Sequence, residues 1–262
     1  MRYVAKLRYD GADFSGFQVQ PNVRTVQGTL CEAAAAAFGA PCAVTGCSRT
    51  DSGVHAEVFC AMIEPQGEGA NLLPPDRLPQ IMAPYLPPDL SVTASCEAPS
   101  GFHPRYGVLD KEYCYRILNT RVADPFLYRR VWHLPRIIGE HELAAMNRAA
   151  AHLIGRHDFH AFMAEGKEVE NATRTIKSFG CIRIGDIIEV RVSADGFLYN
   201  MVRILVGTLV GVAKGQLSPD DMPKILASCD RTVSGMTAPP DGLYLARVRY
   251  PEGVLPPEMG LS

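Results

Sequence analysis

Between Thr45 and Ala56 the chain reads Thr-Gly-Cys-Ser-Arg-Thr-Asp-Ser-Gly-Val-His-Ala. The small residues Gly46, Ser48, Ser52 and Gly53 are interspersed with Arg49, Asp51 and His55. Small residues let a backbone turn tightly and let a ligand come close. An arginine two positions from an aspartate favours the ionised carboxylate. Asp51 is therefore a candidate nucleophile or general base. The same residues also fit an ordinary loop. Arg49 and Asp51 would then be an exposed ion pair of little energetic weight, and Asp-Ser-Gly would be common turn chemistry. The loop by itself leaves both readings open.

The elements that must carry this loop can be read on either side of it. Residues 42–46 and 57–64 are apolar enough for two flanking strands. Upstream, residues 2–9 place Tyr3, Ala5, Leu7 and Tyr9 on one face and Arg2, Lys6 and Arg8 on the other, which predicts a strand with one buried face. Thr25 is a plausible helix N-cap. It precedes Val26, Leu30, Ala33, Ala34, Ala37 and Phe38 at helical spacing. A second helix is expected near Pro75–Tyr85, of uncertain length because of Pro79 and Pro84, with a closing strand at Ser91–Cys96. Strand, helix, strand, strand, helix, strand is the order of a ferredoxin-like unit.

The second half alternates in the same way with extra elements. Strands are expected at Lys111–Asn119, with Tyr113, Tyr115 and Ile117 on one face, and at Val131–Leu134. Thr175–Ile184 and Ile187–Ser193 form a hairpin across Gly185-Asp186, and residues 242–250 form the last strand. Helices are expected at His141–Leu153, at Leu198–Lys214 with an apolar stripe, and after the Ser218 cap with Pro219 in the first turn. Gly207, Gly211 and Gly215 mark a close-packed helix face. The Pro-rich residues 251–262 are expected as a surface extension. The predicted fold class is α+β, two related halves at 1–103 and 104–262, with mixed and antiparallel sheets flanked by helices.

Composition narrows the function classes. The chain has 262 residues, 47% hydrophobic and 21% charged, with a formal net charge of −2. There is no global basic field. Residues 1–103 carry 6 Lys+Arg against 10 Asp+Glu, and residues 104–262 carry 20 against 18. A polyanion would therefore have to bind a local patch, drawn mainly from the second half. No apolar run is long enough for a membrane span, and the N-terminus lacks a signal-peptide pattern. The eight cysteines are scattered with no Cys-x-x-Cys pair, which suggests reduced thiols and a cytoplasmic location.

Further motifs surround the Asp51 loop in sequence order: Tyr9-Asp10-Gly11, Gly16-Phe17-Gln18, Phe102-His103-Pro104-Arg105, Lys111-x-Tyr113-x-Tyr115, Asn200-Met201-Val202-Arg203, Asp230-Arg231-Thr232 and Pro240-x-Gly242-Leu243-Tyr244-Leu245. This set resembles the tRNA pseudouridine synthase A family over nearly the whole chain, and the block Arg49-Thr50-Asp51-x-Gly53-Val54-His55 is its most specific part. The resemblance implies the pseudouridine synthase fold and an isomerase that converts uridine to pseudouridine at positions 38, 39 and 40 of the tRNA anticodon stem-loop. It implies Asp51 as the catalytic group, Arg49 beside it, Tyr113 against the target base, and Arg203 near the cleft. It also implies a homodimer. Ser48 and Ser52 depart from a usual glycine and alanine, Phe17 from a common tryptophan, and Val19 from a frequent basic residue.

The residue types suit that reaction. A glycosidic C–N bond breaks, the base turns, and C5 joins the same sugar carbon, so no redox or nucleotide cofactor is needed. An ionised carboxylate can add and leave again, or move a proton. A tyrosine offers a face for stacking and a phenol for hydrogen bonding. The base must first leave its stack. A non-catalytic RNA-binding module and a hydrolase using Asp51 and His55 are the competing readings. His55 is expected to hydrogen-bond within its loop. His157 and His160 form a His-x-x-His, but no carboxylate or cysteine is expected to complete a metal set around His152, His157 and His160, which read as helix-end packing and polar contacts. Arg121, Arg129, Arg130 and Arg136, interleaved with Tyr128 and Trp132, are either a solvated face or phosphate contacts.

Overall fold

The computed structural model describes residues 1–67, 69–164, 166 and 169–262. In chain order its strands and α-helices are β1 (Tyr3–Tyr9), α1 (Val26–Phe38), β2 (Cys42–Gly46), β3 (His55–Pro65), α2 (Leu78–Met82), β4 (Leu90–Glu97), β5 (Asp110–Leu118), β6 (Trp132–His133), α3 (Glu140–Ala151), β7 (Gly155–Asp158), β8 (Thr173–Ile184), β9 (Ile187–Ala194), α4 (Met201–Ala213), α5 (Met222–Ser228) and β10 (Leu243–Arg249). The fold is α+β. Two compact units divide the chain, Met1–Leu109 with Tyr244–Ser262, and Asp110–Leu243. The expected division lay at 103/104, and the first unit also takes in Tyr244–Ser262. β10 runs parallel to β3, with Tyr244 opposite His55 and Leu245 opposite Ala56, so the C-terminus returns to the first unit.

In the first unit the strands lie in the order β4-β1-β3-β10, and β2 also pairs with β3. β1 is antiparallel to β3, with Leu7 opposite Phe59, and antiparallel to β4 on its other side. With β2 antiparallel to β3, this is the pairing of a ferredoxin-like unit. The Thr25 hydroxyl accepts a hydrogen bond from Gly28 N–H at 3.2 Å and starts α1. Val26, Leu30, Ala33, Ala34, Ala37 and Phe38 form its buried face, and Gly39 ends it at φ +68. The expected Pro75–Tyr85 helix is broken into a 3-10 turn, the short α2 and a second 3-10 turn, with prolines in the first turn of each piece. The C-terminal residues are not a free extension. Leu255, Met259 and Leu261 are buried, and Tyr250 N–H donates to Leu261 O at 2.8 Å. Spaced apolar residues anchor a segment whose composition reads as surface.

In the second unit the strands run β5-β9-β8-β7, each antiparallel to the next, and β6 adds a short parallel pair on β5. The β8–β9 hairpin closes with Ile184 opposite Ile187, and Gly185 turns it at φ +58. Helix α3 packs on α4 and β8. Helix α4 has no exposed stripe: every residue from Met201 to Ala213 except Arg203 is buried, so it is a core helix packed all round. The close approach expected along its glycines occurs at Gly207, where a Cβ would fall 1.8 Å from Met236 O, while Gly215 lies past the helix end with open space around it. The buried Asn119 gathers the segment after β6. Its Nδ2 donates to Leu134 O at 3.0 Å and Arg136 O at 2.9 Å, and its Oδ1 accepts from Ile138 N–H at 2.9 Å. Among the described residues no helix is long and apolar enough to cross a membrane.

Candidate active site

Asp51 lies on the connection between β2 and β3, and the structure holds that connection at several points. Asp51 opens a tight turn closed by Val54 N–H donating to Asp51 O at 3.2 Å. Gly53, at the third position of the turn, has φ +79. A side chain there would be strained, which accounts for the glycine. The Asp51 side chain is half-buried, and Arg49 and Ser52 are exposed. Thr50, one residue before Asp51, is buried. Its carbonyl accepts from Phe17 N–H at 3.0 Å, and its hydroxyl is 2.8 Å from the Tyr9 hydroxyl.

The far side of the turn is tied to the loop that follows β1. Gly53 N–H donates to Phe14 O at 3.2 Å, and the Ser52 hydroxyl is 3.4 Å from the same carbonyl. Gly11 packs so tightly on the Val54 carbonyl that a Cβ would lie 1.9 Å from its oxygen, and a Cβ at Gly16 would lie 2.8 Å from Thr50 O. These two glycines thus allow the first loop to lie directly on the Asp51 loop. Phe17 is buried, stacked on Phe59 with ring centroids 4.6 Å apart. Its position beneath Gly46, where a Cβ would come within 2.5 Å of the ring, accounts for that small residue.

His55 is 2% exposed and its ring stacks on Tyr244 at 4.6 Å. Its Nδ1 lies 3.0 Å from Gly11 N and 3.0 Å from Asp10 Oδ1. The nitrogen accepts from Gly11 when unprotonated and donates to Asp10 when protonated. Either way the bond reaches across to the loop after β1. Sequence reasoning missed the positioning contacts of Tyr9, Gly11 and His55, because each links residues far apart along the chain.

The second unit carries the other two residues of interest. Tyr113, on β5 opposite Val192, is 6% exposed and meets Phe197 edge-on at 5.1 Å. Tyr115 is two residues on, so its side chain leaves the strand on the same face. Its hydroxyl donates to Pro239 O at 2.7 Å, and burial pushes its phenol pKa well up. Arg203, in the first turn of α4, donates from Nε to Ala238 O and from Nη1 to Asn200 Oδ1, both at 2.7 Å. Ala238 N–H in turn donates to Arg203 O at 3.1 Å. Arg231, of the Asp-Arg-Thr motif, is a loop staple: it reaches the Ser234 hydroxyl and Gly235 O at 2.9 Å and the Thr237 hydroxyl at 3.0 Å. Arg49 and Asp51 thus share one loop of the first unit, and Tyr113 and Arg203 belong to the second.

Of the expected basic run, Arg121, Arg130 and Arg136 are exposed and Arg129 is half-buried at φ +58. Phe126 and Tyr128 on the same loop are 88% and 74% exposed.

The histidines require one correction. His152 lies 3.7 Å from Asp220 Oδ1, and His157 bonds Ile154 O at 3.0 Å. At His160 a carboxylate and a cysteine do come together, against the expectation that none completes a set: Asp158, His160 and Cys229 bring their ligating atoms within 4.8 Å of one another. Cys229 comes from the end of α5, distant in sequence, so no local spacing displays the set.

The description of one family model, tRNA pseudouridine synthase, fits residues 149–251. The chain is 40% identical over 251 residues to the tRNA pseudouridine synthase A of Halalkalibacterium halodurans, covering 95% of this chain and 93% of that protein. It is 41% identical over 244 residues to the protein of the same name from Brevibacillus brevis, covering 93% and 97%. A relative from Thermoanaerobacter sp., also so named, is 38% identical over 244 residues with the same coverage. Likeness of this degree along nearly the full length places the chain in the class of tRNA pseudouridine synthases, which are isomerases. Within that class it belongs to the tRNA pseudouridine synthase A family.

Proposed function

We propose that this protein isomerises uridines at positions 38, 39 and 40 of the tRNA anticodon stem-loop, with Asp51 as the catalytic group. The observation that supports this most is the setting of Asp51: a half-buried carboxylate at the head of a tight turn, bounded by a buried Thr50 and by Gly53 at positive φ. A reacting group benefits from a rigid mount, since small displacements cost large factors in rate. The bond from C1′ to N1 breaks and one from C1′ to C5 forms. The C5 proton goes to solvent and N1 gains one, so the reaction is balanced without cofactor or metal. Asp51 supplies the carboxylate that adds reversibly or moves the proton.

The other residues take supporting roles. Exposed Arg49 is suited to a phosphate near the flipped nucleotide. Tyr113 offers its ring to the uracil face. Arg203, fixed through Ala238 and Asn200, is a held cation at the start of α4. The working unit is a homodimer that shares one tRNA. Residues 104–262 of each chain hold a surplus of only +2, and the loop with exposed Phe126 and Tyr128 beside Arg121 and Arg130 offers apolar and cationic contacts together.

The test is tritium release from tRNA labelled at C5 of uridine, followed by mapping of the modified positions. Wild type is expected to release tritium and to modify positions 38, 39 and 40. Asp51→Asn is expected to release none while still binding tRNA. Near wild-type release by Asp51→Asn overturns the assignment of Asp51, and binding without release by wild type favours a non-catalytic module.

A further inference from the structure

We propose that Asp158, His160 and Cys229 form a surface site for a thiophilic divalent cation of the zinc class, separate from the residues assigned to isomerisation. All three belong to the second unit. Asp158 ends β7, His160 begins the 3-10 turn at His160–Phe162, and Cys229 caps α5.

The donor types fit that chemistry. A neutral imidazole, a carboxylate and a thiolate are the nitrogen, oxygen and sulfur ligands zinc takes, whereas magnesium and calcium ask for oxygen alone. Three protein ligands with solvent at the fourth position is the composition of an open zinc site.

The geometry is close to what an ion requires. Ligand atoms around one tetrahedral zinc lie roughly 3–4 Å apart, given bond lengths of about 2.0–2.3 Å. Here the three ligating atoms are already within 4.8 Å. Asp158 Oδ1 is hydrogen-bonded to His160 Nδ1 at 2.7 Å and accepts from His160 N–H at 2.9 Å, so the turn holds the two side chains side by side, and an ion would take the place of the Nδ1 bond. Cys229 has φ 52 and its N–H donates to Leu226 O at 3.3 Å, which fixes where its side chain starts. Its thiol makes a long contact, 3.8 Å to Leu226 O. Asp158 and Cys229 are exposed and His160 is partly so. Small rotations can therefore close the set without opening a cavity.

The consequence is a clip between the end of β7 and the end of α5. These segments are far apart in sequence and already pack together, α5 lying against both β7 and the 160–162 turn. Binding replaces the thiol proton with the metal, so one proton is released to solvent and affinity rises with pH. An ion held only by the folded chain raises the melting temperature.

The experiment uses full-length protein, stripped with a chelator and kept reduced by a phosphine that binds metal poorly. Cobalt(II) alone is titrated first, then displaced by zinc(II). Wild type is expected to show a sulfur-to-cobalt charge-transfer band that saturates at one equivalent and is abolished by zinc, with a higher melting temperature in zinc. Cys229→Ser should lose the band, weaken zinc binding at least about tenfold, and lose the melting shift. His160→Asn should weaken binding similarly and serves if Cys229→Ser folds poorly. Cys42→Ser, outside the set, should behave as wild type. Uridine isomerisation by Cys229→Ser should be unchanged. The proposal is overturned by absence of the band in wild type, or by zinc affinity equal in wild type, Cys229→Ser and His160→Asn.

Discussion

The hydroxyls of Tyr9 and Thr50 lie 2.8 Å apart in a buried setting, one residue before Asp51. Tyr9 ends β1, and Thr50 belongs to the connection between β2 and β3. The last side chain of the first strand thus helps fix where the Asp51 turn begins. On its other side the turn is held by Gly11, Phe14 and His55. Removing the Tyr9 hydroxyl leaves the aromatic packing on Phe14 and Phe59 and deletes the tie to Thr50. Tyr9→Phe is expected to reduce stability by about 1 kcal/mol. It should lower kcat on the order of tenfold with tRNA affinity unchanged, because the carboxylate loses its exact placement and not its charge. Steady-state kinetics beside urea denaturation separate these effects. An unchanged kcat with reduced stability would limit the bond to folding.

Tyr113 tests the other half of the proposed chemistry. Its ring packs edge-on against Phe197, so phenylalanine fits the same space. Tyr113→Phe should lower turnover much more than tRNA affinity, because it keeps the stacking face and loses the phenol. Tyr113→Ala should harm both, since stacking contributes about 1–3 kcal/mol per base. Filter binding and tritium release on the same preparations make the comparison. Equal turnover by Tyr113→Phe and wild type leaves the hydroxyl without a chemical role.

What the sequence displayed follows from the range of the forces involved. Helix α1 was legible because its cap and apolar period lie within one element. The β2 and β3 strands, and the loop between them, were legible for the same reason. β7 was not, because Gly-Arg-His-Asp alternates nothing and becomes a strand by pairing with β8. The Leu198–Lys214 stripe misled because α4 is surrounded, so burial erases the polar face that a surface helix shows. The C-terminal residues misled because composition cannot show that Met259 and Leu261 have a place to pack. Asp51, Arg49, Tyr113 and Arg203 are candidates that motif alone can single out, whereas the contacts of Tyr9 and His55 that position the loop depend on the folded sheet. Cys229 joins Asp158 and His160 only through packing of α5.

Asn119 illustrates a single buried polar side chain organising a loop. Three backbone groups, on Leu134, Arg136 and Ile138, take its amide. Asn119→Ala deprives them of this partner in a buried place, at a cost on the order of 2–3 kcal/mol. The urea midpoint should fall with an unchanged slope, as for a loss of stability without change in the surface exposed. Activity below the new midpoint should recover most of the wild-type value, since Asn119 bonds the backbone of Arg136 and not its guanidinium. A midpoint shift near zero would mean that the segment after β6 is held by other contacts.

The proposed homodimer leads to the last prediction. The chain carries net −2, and residues 104–262 hold a surplus of only +2, so one chain presents little positive surface to a long polyanion. Two chains can place their basic loops on the same tRNA and build a wider field. Each phosphate neutralised releases counterions, so binding should weaken steeply as salt rises. Replacing Arg121, Arg130 and Arg136 together by glutamine should reduce that salt dependence along with affinity. In a dimer that shares one substrate, the Asp51 of one protomer works on tRNA held by the arginines of its partner. A subunit lacking Asp51 mixed with one lacking the three arginines should then regain turnover that neither has as a homodimer, because each heterodimer contains one intact pairing. Sedimentation at working concentration should give a dimer. A fully active monomer with no recovery on mixing would remove the shared-site model and leave the isomerase reading in place.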